Sequence, residues 1–261
     1  MDSAKYKENL KKYYNKEAEL RNQSVKQEWK IRVRDEFNAL LKQEQKKSLL
    51  EIGAGAGYDS QYFMNNGLQV VAVDLSREMV KKCKEKGIEA YELDFYSLSS
   101  LHKQFDCIWA MNTLLHVPKS DLNQVLHEID FTLKEDGLFY IGIYGGEDTE
   151  SEYVKADVSD VPRFFSYHSK DNLKAKLEEH FMIISFDEFE VSRGNGIDVV
   201  QSIIMKKSNP ARKILHSYYY EGYNRCEISQ ILRKPQSTIR YYLSEARKML
   251  RKKLGGDFDE E

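Results

Sequence analysis

Three glycines stand at alternate positions in the stretch LLEIGAGAGYDSQYF, residues 49–63. They follow an apolar run and precede a helical pattern, where glycine permits a sharp turn and removes side chains between the backbone and a ligand. The dinucleotide fingerprint is GxGxxG, but Tyr58 stands where its last glycine would fall. The spacing therefore predicts close approach to a ligand other than a pyrophosphate, with a simple tight turn as the alternative.

Acidic residues end three of the apolar runs. Glu51 precedes the glycines and would repel phosphates, whereas it suits a ligand that bears an ammonium and a sulfonium group. Asp74 lies 21 positions after Gly53, where a carboxylate can accept both ribose hydroxyls. Asp94 can accept a hydrogen bond from an adenine amino group, and Phe95 can pack against the ring. Their alternative roles are helix capping and core filling.

The segments that must position these residues alternate between short apolar runs and helical patterns. Strands are expected at SLLEI, QVVAVD, EAYELD, FDCIWA and LFYIGIY, with helices near residues 58–66, 77–86 and 120–133. Two further strands, FMIISFDEFEV and VVQSIIMKK, are joined so briefly that they must be antiparallel. The sequence thus predicts an α/β fold with a doubly wound, seven-stranded, mostly parallel sheet and one antiparallel strand.

Charge and periodicity divide the chain further. Residues 1–47 are highly charged with apolar positions at helical spacing, and we expect a helical cap or lid there. The sheet domain then spans residues 48–207, and a small all-α helix-turn-helix domain spans residues 208–254. Residues 255–261 form an acidic tail. Within the sheet domain, residues 145–169 form a connection that is long for a compact fold. Connections of this length are usually functional or disordered.

The sequences EIGAGAG, VAVD and ELDF at successive strand ends resemble the class I S-adenosylmethionine-dependent methyltransferases. The resemblance covers roughly residues 48–207 and implies S-adenosyl-L-methionine as cofactor, with the preceding helices as the variable lid of that family. It also implies a set of cofactor contacts along the strand ends. These are Glu51, Gly53, Ala54, Gly55, Gly57, Asp74, Leu75, Met79, Asp94, Phe95, Met111, Asn112, Leu115 and His116.

Methyl transfer from a sulfonium depends mainly on holding acceptor, methyl and sulfur in line and on excluding water. A dedicated catalytic residue is optional in such a reaction, but a hydroxyl or ammonium acceptor needs a base. The candidates near the expected site are His116, Tyr144 and His168. For each of them a structural role is the alternative.

Aromatic residues of the long connection and of the lid are candidates for contacts with the methyl acceptor. They are Arg163, Phe164 and Tyr167, which could form an apolar pocket with one anion contact, and Tyr13 and Tyr14. Docking the connection and the lid on the sheet is the alternative role. Nucleic-acid amino-methylating relatives carry an Asn/Asp-Pro-Pro-aromatic stretch after strand four, and AMNTLLH lacks it. The acceptor is therefore expected to be a small molecule.

The carboxy-terminal segment is strongly basic. Residues 206–254 hold 13 Lys and Arg against 3 Asp and Glu, whereas residues 1–205 hold 27 against 35. Its pattern EISQIL followed by STIRYYLSEARKMLRKKL resembles the promoter-binding region of bacterial RNA polymerase sigma factors, over residues 210–254. The resemblance implies that DNA is contacted by Gln236, Ser237, Thr238, Arg240, Tyr241 and Arg247. RNA, or a pure packing or dimerisation role, is the alternative.

These features leave three functions open. The leading one is a methyltransferase with an appended DNA-binding domain; the others are a regulator that senses the cofactor without catalysis, and a nucleic-acid methyltransferase targeted by the helix-turn-helix. A charged amino terminus and strand-length apolar runs predict a cytoplasmic protein without a membrane partner. The three scattered cysteines show no metal-site or disulfide spacing. A homodimer is left open.

Overall fold

The structure is a computed structural model. It describes residues 3–155, 159–193, 196–208, 214, 217–219, 222–231 and 235–254. The chain divides into two compact units, residues 1–207 and residues 208–261. The predicted acidic tail, residues 255–261, lies outside the described residues.

The first unit is built on a seven-stranded sheet. The strands of the described residues are β1 (Ser48–Ile52), β2 (Gln69–Asp74), β3 (Glu89–Glu92), β4 (Phe105–Met111), β5 (Leu133–Gly145), β6 (Thr149–Tyr153), β7 (Arg163–Tyr167), β8 (Phe181–Arg193) and β9 (Gly196–Lys207). The sheet has the order β3-β2-β1-β4-β5-β9-β8. β9 runs antiparallel to both of its neighbours, and the other six strands of this sheet run in one direction. The predicted doubly wound sheet with one reversed strand is confirmed.

Helices cover both faces of this sheet and form the second unit. The α-helices of the described residues are α1 (Ser3–Asn22), α2 (Glu28–Gln43), α3 (Tyr58–Asn65), α4 (Arg77–Glu85), α5 (Leu122–Thr132), α6 (Lys170–Glu178), α7 (Arg225–Ile231) and α8 (Gln236–Leu254). α4 begins where Ser76 Oγ accepts a hydrogen bond from the backbone N–H of Met79 at 3.2 Å. Such a cap satisfies a donor that the helix start leaves unpaired. None of the described helices has the length and apolar composition needed to cross a membrane.

The central strands bury alternate residues on opposite faces of the sheet, as the period of a strand requires. On β4, Ile108 faces an apolar cluster covered by α5 and α6, whereas Trp109 faces a second cluster covered by α2 and α3. The Trp109 ring stacks on Tyr140 of β5 with centroids 4.0 Å apart. Phe37 of α2 lies 5.5 Å from each of these rings. Helix α2 is therefore part of the core.

The segment expected as one long connection, residues 145–169, contains an antiparallel hairpin of β6 and β7. All of β6 is exposed, so no alternation of apolar residues marked it in the sequence. Phe164 of β7 is buried against Tyr6 and Leu10 of α1. Helix α1 lies against both α4 and β7. The hairpin thus fastens the amino-terminal helix to the sheet.

The second unit contains α7 and α8. Asn224 Oδ1 accepts hydrogen bonds from the backbone N–H groups of Cys226 and Glu227, and Glu227 accepts one from the N–H of Asn224. This reciprocal arrangement is a capping box, and it fixes the start of α7. A small apolar core is formed by Ile214, Ile228, Ile239 and Leu243.

Candidate active site

The glycine turn after β1 meets the end of β2 at one edge of the sheet. The backbone N–H of Gly55 donates to Oδ2 of Asp74 at 2.8 Å, and that of Ser76 donates to Oδ1 at 2.8 Å. Burial raises the pKa of Asp74, while these two hydrogen bonds act in the opposite direction. Gly55 has a φ of 54°, and an added Cβ atom would meet no other atom within 4 Å. The turn therefore leaves open space above its backbone.

A cavity of about 330 Å³ opens at this edge, where the carboxyl ends of β1, β2 and β4 meet. Helix α1 and the segment that joins it to α2 form the opposite wall. Twelve of the fourteen predicted cofactor contacts line this cavity: Glu51, Gly53, Ala54, Gly55, Asp74, Leu75, Met79, Asp94, Phe95, Met111, Asn112 and His116. The other two do not, because Gly57 faces Ile88 and Cys83 and Leu115 lies in the apolar core.

Asp94 both caps a helix and lines the cavity. Its Oδ1 accepts a hydrogen bond from the backbone N–H of Tyr96 at 3.2 Å, at the start of the 3-10 helix Phe95–Leu101. Its Oδ2 lies 2.8 Å from Nζ of Lys7 on α1. The capping role that the sequence left as an alternative is thus present, and an ion pair ties this corner of the cavity to α1.

Two buried carboxyl groups lie at the end of β1 and the start of α3. Glu51 is 4% exposed and accepts a hydrogen bond from Ser60 Oγ. Burial, together with the nearby carboxylate of Asp59, raises the pKa of Glu51 to about 8. Asp59 is paired with Lys26, and its Oδ2 accepts a hydrogen bond from Trp109 Nε1 at 3.2 Å. Its surroundings therefore favour the protonated form of Glu51.

His116 is hydrogen-bonded on both ring nitrogens. Its Nδ1 lies 2.7 Å from the carbonyl oxygen of Phe164, and its Nε2 lies 2.7 Å from the hydroxyl of Tyr14 on α1. Burial lowers the pKa of His116 to about 4, so the imidazole is neutral at neutral pH. Tyr14 and His116 both line the cavity. The structure thus joins a predicted acceptor contact to a predicted base.

The other four predicted acceptor contacts do not line the cavity. Tyr13 is fully buried and donates to Glu17 at 2.6 Å. The guanidinium of Arg163 lies 4.1 Å from the centre of the Tyr13 ring, Phe164 is buried against α1, and Tyr167 is half-buried. In this arrangement Tyr13, Arg163 and Phe164 fasten the hairpin to α1, the alternative that the sequence left open.

The other two candidate bases also lie outside the cavity wall. Tyr144 Oη is 3.5 Å from Oε1 of Gln27. Of these two residues, Gln27 lines the cavity and Tyr144 does not. His168 is buried, and its carbonyl oxygen accepts hydrogen bonds from Gln201 and from the backbone of Gly146. Of the three candidates, His116 alone lines the cavity.

Most of the wall that α1 and the residues after it supply was not predicted from the sequence. Besides Tyr14, this wall contains Tyr6, Lys7, Leu10, Arg21, Ser24, Val25, Lys26, Gln27 and Lys30. Tyr6, Leu10 and Tyr14 follow one another at four-residue spacing and so share one face of α1. That spacing was a readable signal of a buried face, but it does not distinguish packing on the sheet from facing a ligand.

The second unit presents a concave basic surface. It is lined by Arg225, Arg240, Leu243, Ser244, Arg247, Lys248 and Arg251. Among the predicted DNA contacts, Gln236, Ser237, Arg240 and Tyr241 are exposed, and Thr238 and Arg247 are half-buried. Nε of Arg247 donates to the hydroxyl of Tyr219 at 2.9 Å, which holds this guanidinium in place.

Two family models match this chain. Residues 50–141 match a methyltransferase domain, and residues 210–252 match region 4 of sigma-70. Residues 50–141 therefore carry a methyltransferase domain. The two matches confirm the predicted combination of this domain with a sigma-factor-like helix-turn-helix.

The methyltransferase domain has curated relatives that the chain matches over part of their length. The chain is 28% identical over 141 residues to an uncharacterized methyltransferase from Alkaliphilus oremlandii (strain OhILAs), covering 53% of this chain and 64% of that protein. It is 35% identical over 96 residues to malonyl-(acyl-carrier protein) O-methyltransferase from Hamiltonella defensa subsp. Acyrthosiphon pisum (strain 5AT), covering 36% of each. Both matches span less than two thirds of the relative.

A solved structure shares the fold of the methyltransferase domain. It is the Burkholderia thailandensis 1,6-didemethyltoxoflavin-N1-methyltransferase with bound 1,6-didemethyltoxoflavin and S-adenosylhomocysteine. The TM-score is 0.60 at 19% identity, and the match covers 79% of this chain and 89% of that one. At this identity the likeness establishes the fold.

The cavity of the methyltransferase domain fits S-adenosylmethionine in three respects. The space above Gly55 admits a nucleoside against the backbone. The Asp74 carboxylate uses two lone pairs on backbone N–H groups and keeps others for ribose hydroxyls. Oδ1 of Asn112 is buried in the cavity wall and has no hydrogen-bond partner among the described residues. An unpaired buried acceptor of this kind suits the cofactor's ammonium group.

Proposed function

We propose that this chain transfers the methyl group of S-adenosylmethionine to a hydroxyl or amino group of a small molecule. The observation that carries the proposal is the cavity in which the glycine turn and the Asp74 carboxylate face α1. We further propose residues 1–47 as the lid of a catalytic domain at residues 48–207, and residues 208–254 as a separate DNA-binding domain.

The residues of the cavity have distinct tasks in this proposal. When bound, the cofactor supplies a methyl group on a positively charged sulfur. Asp74 accepts hydrogen bonds from the ribose, Phe95 packs against the adenine, and Asn112 accepts from the ammonium group. Glu51 loses its proton when this cation lies beside it, because an opposite charge favours the ionised carboxyl group. The lid excludes water while acceptor, methyl and sulfur are aligned.

A small acceptor is supported by the covering of the cavity and by the sequence after β4. Helix α1 covers the cavity with Tyr6, Leu10 and Tyr14. The stretch AMNTLLH lacks the motif of nucleic-acid amino methyltransferases. The Burkholderia relative of the fold is named for methylating N1 of 1,6-didemethyltoxoflavin, a small molecule.

Methyl-labelled S-adenosylmethionine tests this function. The folded chain is incubated with the label and separately with total RNA, DNA, protein and the small-molecule fraction of a cell extract. Label should enter the small-molecule fraction, and Gly55→Leu or Asp74→Ala should abolish the transfer in a folded protein. Label in RNA or DNA would instead indicate a nucleic-acid methyltransferase.

The basic surface of the second unit favours DNA as a further partner. Five Arg and Lys side chains line one concave surface there, and cationic clusters of this kind bind phosphate backbones. The chain has both this basic surface and a cofactor cavity. The combination also supports the alternative function, a regulator that senses S-adenosylmethionine without catalysis. Promoter binding that changes with the cofactor, with no methyl transfer to any pool, would favour the regulator over the enzyme.

A further inference from the structure

We propose that Tyr14 is a catalytic residue that takes the proton of the methyl acceptor, and that His116 receives the proton of Tyr14. The acceptor then belongs to the class of molecules with an O–H or N–H group at the methylated atom. This inference rests on the proposed methyl transfer and names the groups that remove the proton.

The hydrogen bonds of His116 fix which of its nitrogens carries the proton. The carbonyl oxygen of Phe164 can only accept, so Nδ1, 2.7 Å away, must be the N–H donor. In a neutral imidazole the other nitrogen then has a free lone pair. The hydroxyl of Tyr14, 2.7 Å from Nε2, therefore donates its proton to His116. This direction is the one that proton removal through Tyr14 requires.

The oxygen of Tyr14 has two lone pairs, one of which accepts a hydrogen bond from Arg163 and the other of which is left for the methyl acceptor. Tyr14 and His116 line the cavity together with Met111 and Asn112 at the end of β4. An O–H or N–H group that reaches this wall can donate to the Tyr14 oxygen. Burial raises the pKa of Tyr14, whereas the guanidinium of Arg21, 4.9 Å from the centre of its ring, and that of Arg163 act in the opposite direction and favour negative charge on the phenol during proton transfer.

Charged groups on both neighbouring elements keep His116 neutral before the reaction. Arg21 and Glu17 lie on α1, and Arg163 lies on β7. Burial and the two arginines disfavour a positive imidazole, so His116 is neutral before the reaction. Glu17 is held by Arg21 at 2.6 Å and by Tyr13 at 2.6 Å. The Glu17 carboxylate therefore bonds Arg21 and Tyr13, and not His116.

The step balances in atoms and charge. The bond from the methyl carbon to sulfur breaks as the carbon bonds to the acceptor oxygen or nitrogen, and sulfur keeps the electron pair. The acceptor's proton passes to the Tyr14 oxygen while the Tyr14 proton passes to Nε2 of His116. The positive charge lost at sulfur is replaced by one on the imidazole, whose Nδ1–H remains bonded to Phe164.

Three substitutions separate proton transfer from packing. Tyr14→Phe removes only a hydroxyl, and His116→Gln keeps a side chain that can donate and accept hydrogen bonds but cannot take up a proton. The matched control is Tyr91→Phe, which removes a hydroxyl that bonds Glu89 on the exposed part of β3. With the small-molecule fraction of a cell extract as acceptor probe, transfer should fall by about 10²- to 10⁴-fold in the first two variants. It should be unchanged in the control.

A pH profile and a nitrogen NMR measurement distinguish proton transfer from a structural role. In both impaired variants the rate should rise with pH, because an ionised acceptor no longer needs the pair, whereas the wild-type rate stays level near neutrality. In ¹⁵N-histidine-labelled protein, the signal that His116→Gln removes should show a protonated Nδ1, and Tyr14→Phe should shift its Nε2 resonance.

The outcomes separate this proposal from the proposed function. A proton on Nε2 in the wild type, or full transfer by a folded Tyr14→Phe or His116→Gln, would overturn the pair. Absence of transfer by the wild type with every pool would overturn methyl transfer itself, and the NMR measurement would still decide the direction of the hydrogen bond.

Discussion

The carboxylate of Asp74 accepts a hydrogen bond from the backbone N–H of Gly55 at 2.8 Å, which ties the end of β2 to the glycine turn. In Asp74→Asn, the new amide N–H groups would face backbone N–H donors. Affinity for S-adenosylmethionine should fall by about 10- to 100-fold, the size of a charge-assisted hydrogen bond. Isothermal titration calorimetry measures this affinity. Glu89→Gln, on an exposed carboxyl group outside the cavity, should bind normally; equal affinity in both variants would remove Asp74 from the site.

Gly55 and Gly87 form a matched pair for testing the space above the turn. Their φ angles are 54° and 77°, and a Cβ atom would meet nothing within 4 Å at either position. Alanine should strain each backbone by about 1–2 kcal/mol. Only Gly55→Ala should also weaken cofactor binding, because only Gly55 lines the cavity. Thermal denaturation and calorimetry on both variants check this, and similar loss of affinity at Gly87 would contradict it.

Glu51 should make the ligand-free protein less stable as pH rises. Its pKa is about 8 in the folded chain against an ordinary 4.5, so the folded state binds more protons between these values. The contribution is fully present below the ordinary pKa and is lost toward about pH 8, with a slope of up to about 1.4 kcal/mol per pH unit. Glu51→Gln should flatten this dependence in urea denaturation. A variant whose stability changes with pH in parallel with the wild type would exclude Glu51 as the cause.

Phe37 should be essential to the packing of α2. Its ring is fully buried between Trp109, Tyr140 and Phe63. Phe37→Ala should lower the free energy of unfolding by about 3–5 kcal/mol, because it leaves a cavity in a closely packed core. Val25→Ala, at a side chain that is 94% exposed, should change it little. Chemical denaturation compares the two, and equal stabilities would place α2 outside the core.

Arg240 should contribute to DNA binding through charge. It lines the concave basic surface of the second unit and is exposed. Arg240→Glu should weaken binding to duplex DNA and reduce the salt slope by about one. Lys174→Glu on α6 makes the same charge change in the first unit and should have little effect. Fluorescence anisotropy over a range of salt concentrations measures both; equal effects would indicate only a dependence on net charge.

Local patterns were sufficient for the sheet and for the strand-end residues. Glu51 and Asp74 could be placed because each ends an apolar run, and parallel strands bring their carboxyl ends together. The hairpin of β6 and β7 could not be placed, because β6 is exposed throughout and four of its five residues are polar. The Tyr14–His116 hydrogen bond joins residues 102 positions apart, and periodicity carries no information about such pairs.

Helix α1 precedes the sheet in the chain, yet its partners Phe164 and His116 follow most of it. Contacts between such distant segments cost more loop-closure entropy than local contacts do, and we expect them to form late in folding. The sheet and its glycine turn are therefore expected to assemble first, with docking of α1 as the final event. We also expect such a helix to open at a lower free energy than the central strands. In the proposed enzyme, release of the spent cofactor can then proceed through partial unfolding of one helix while the sheet stays intact.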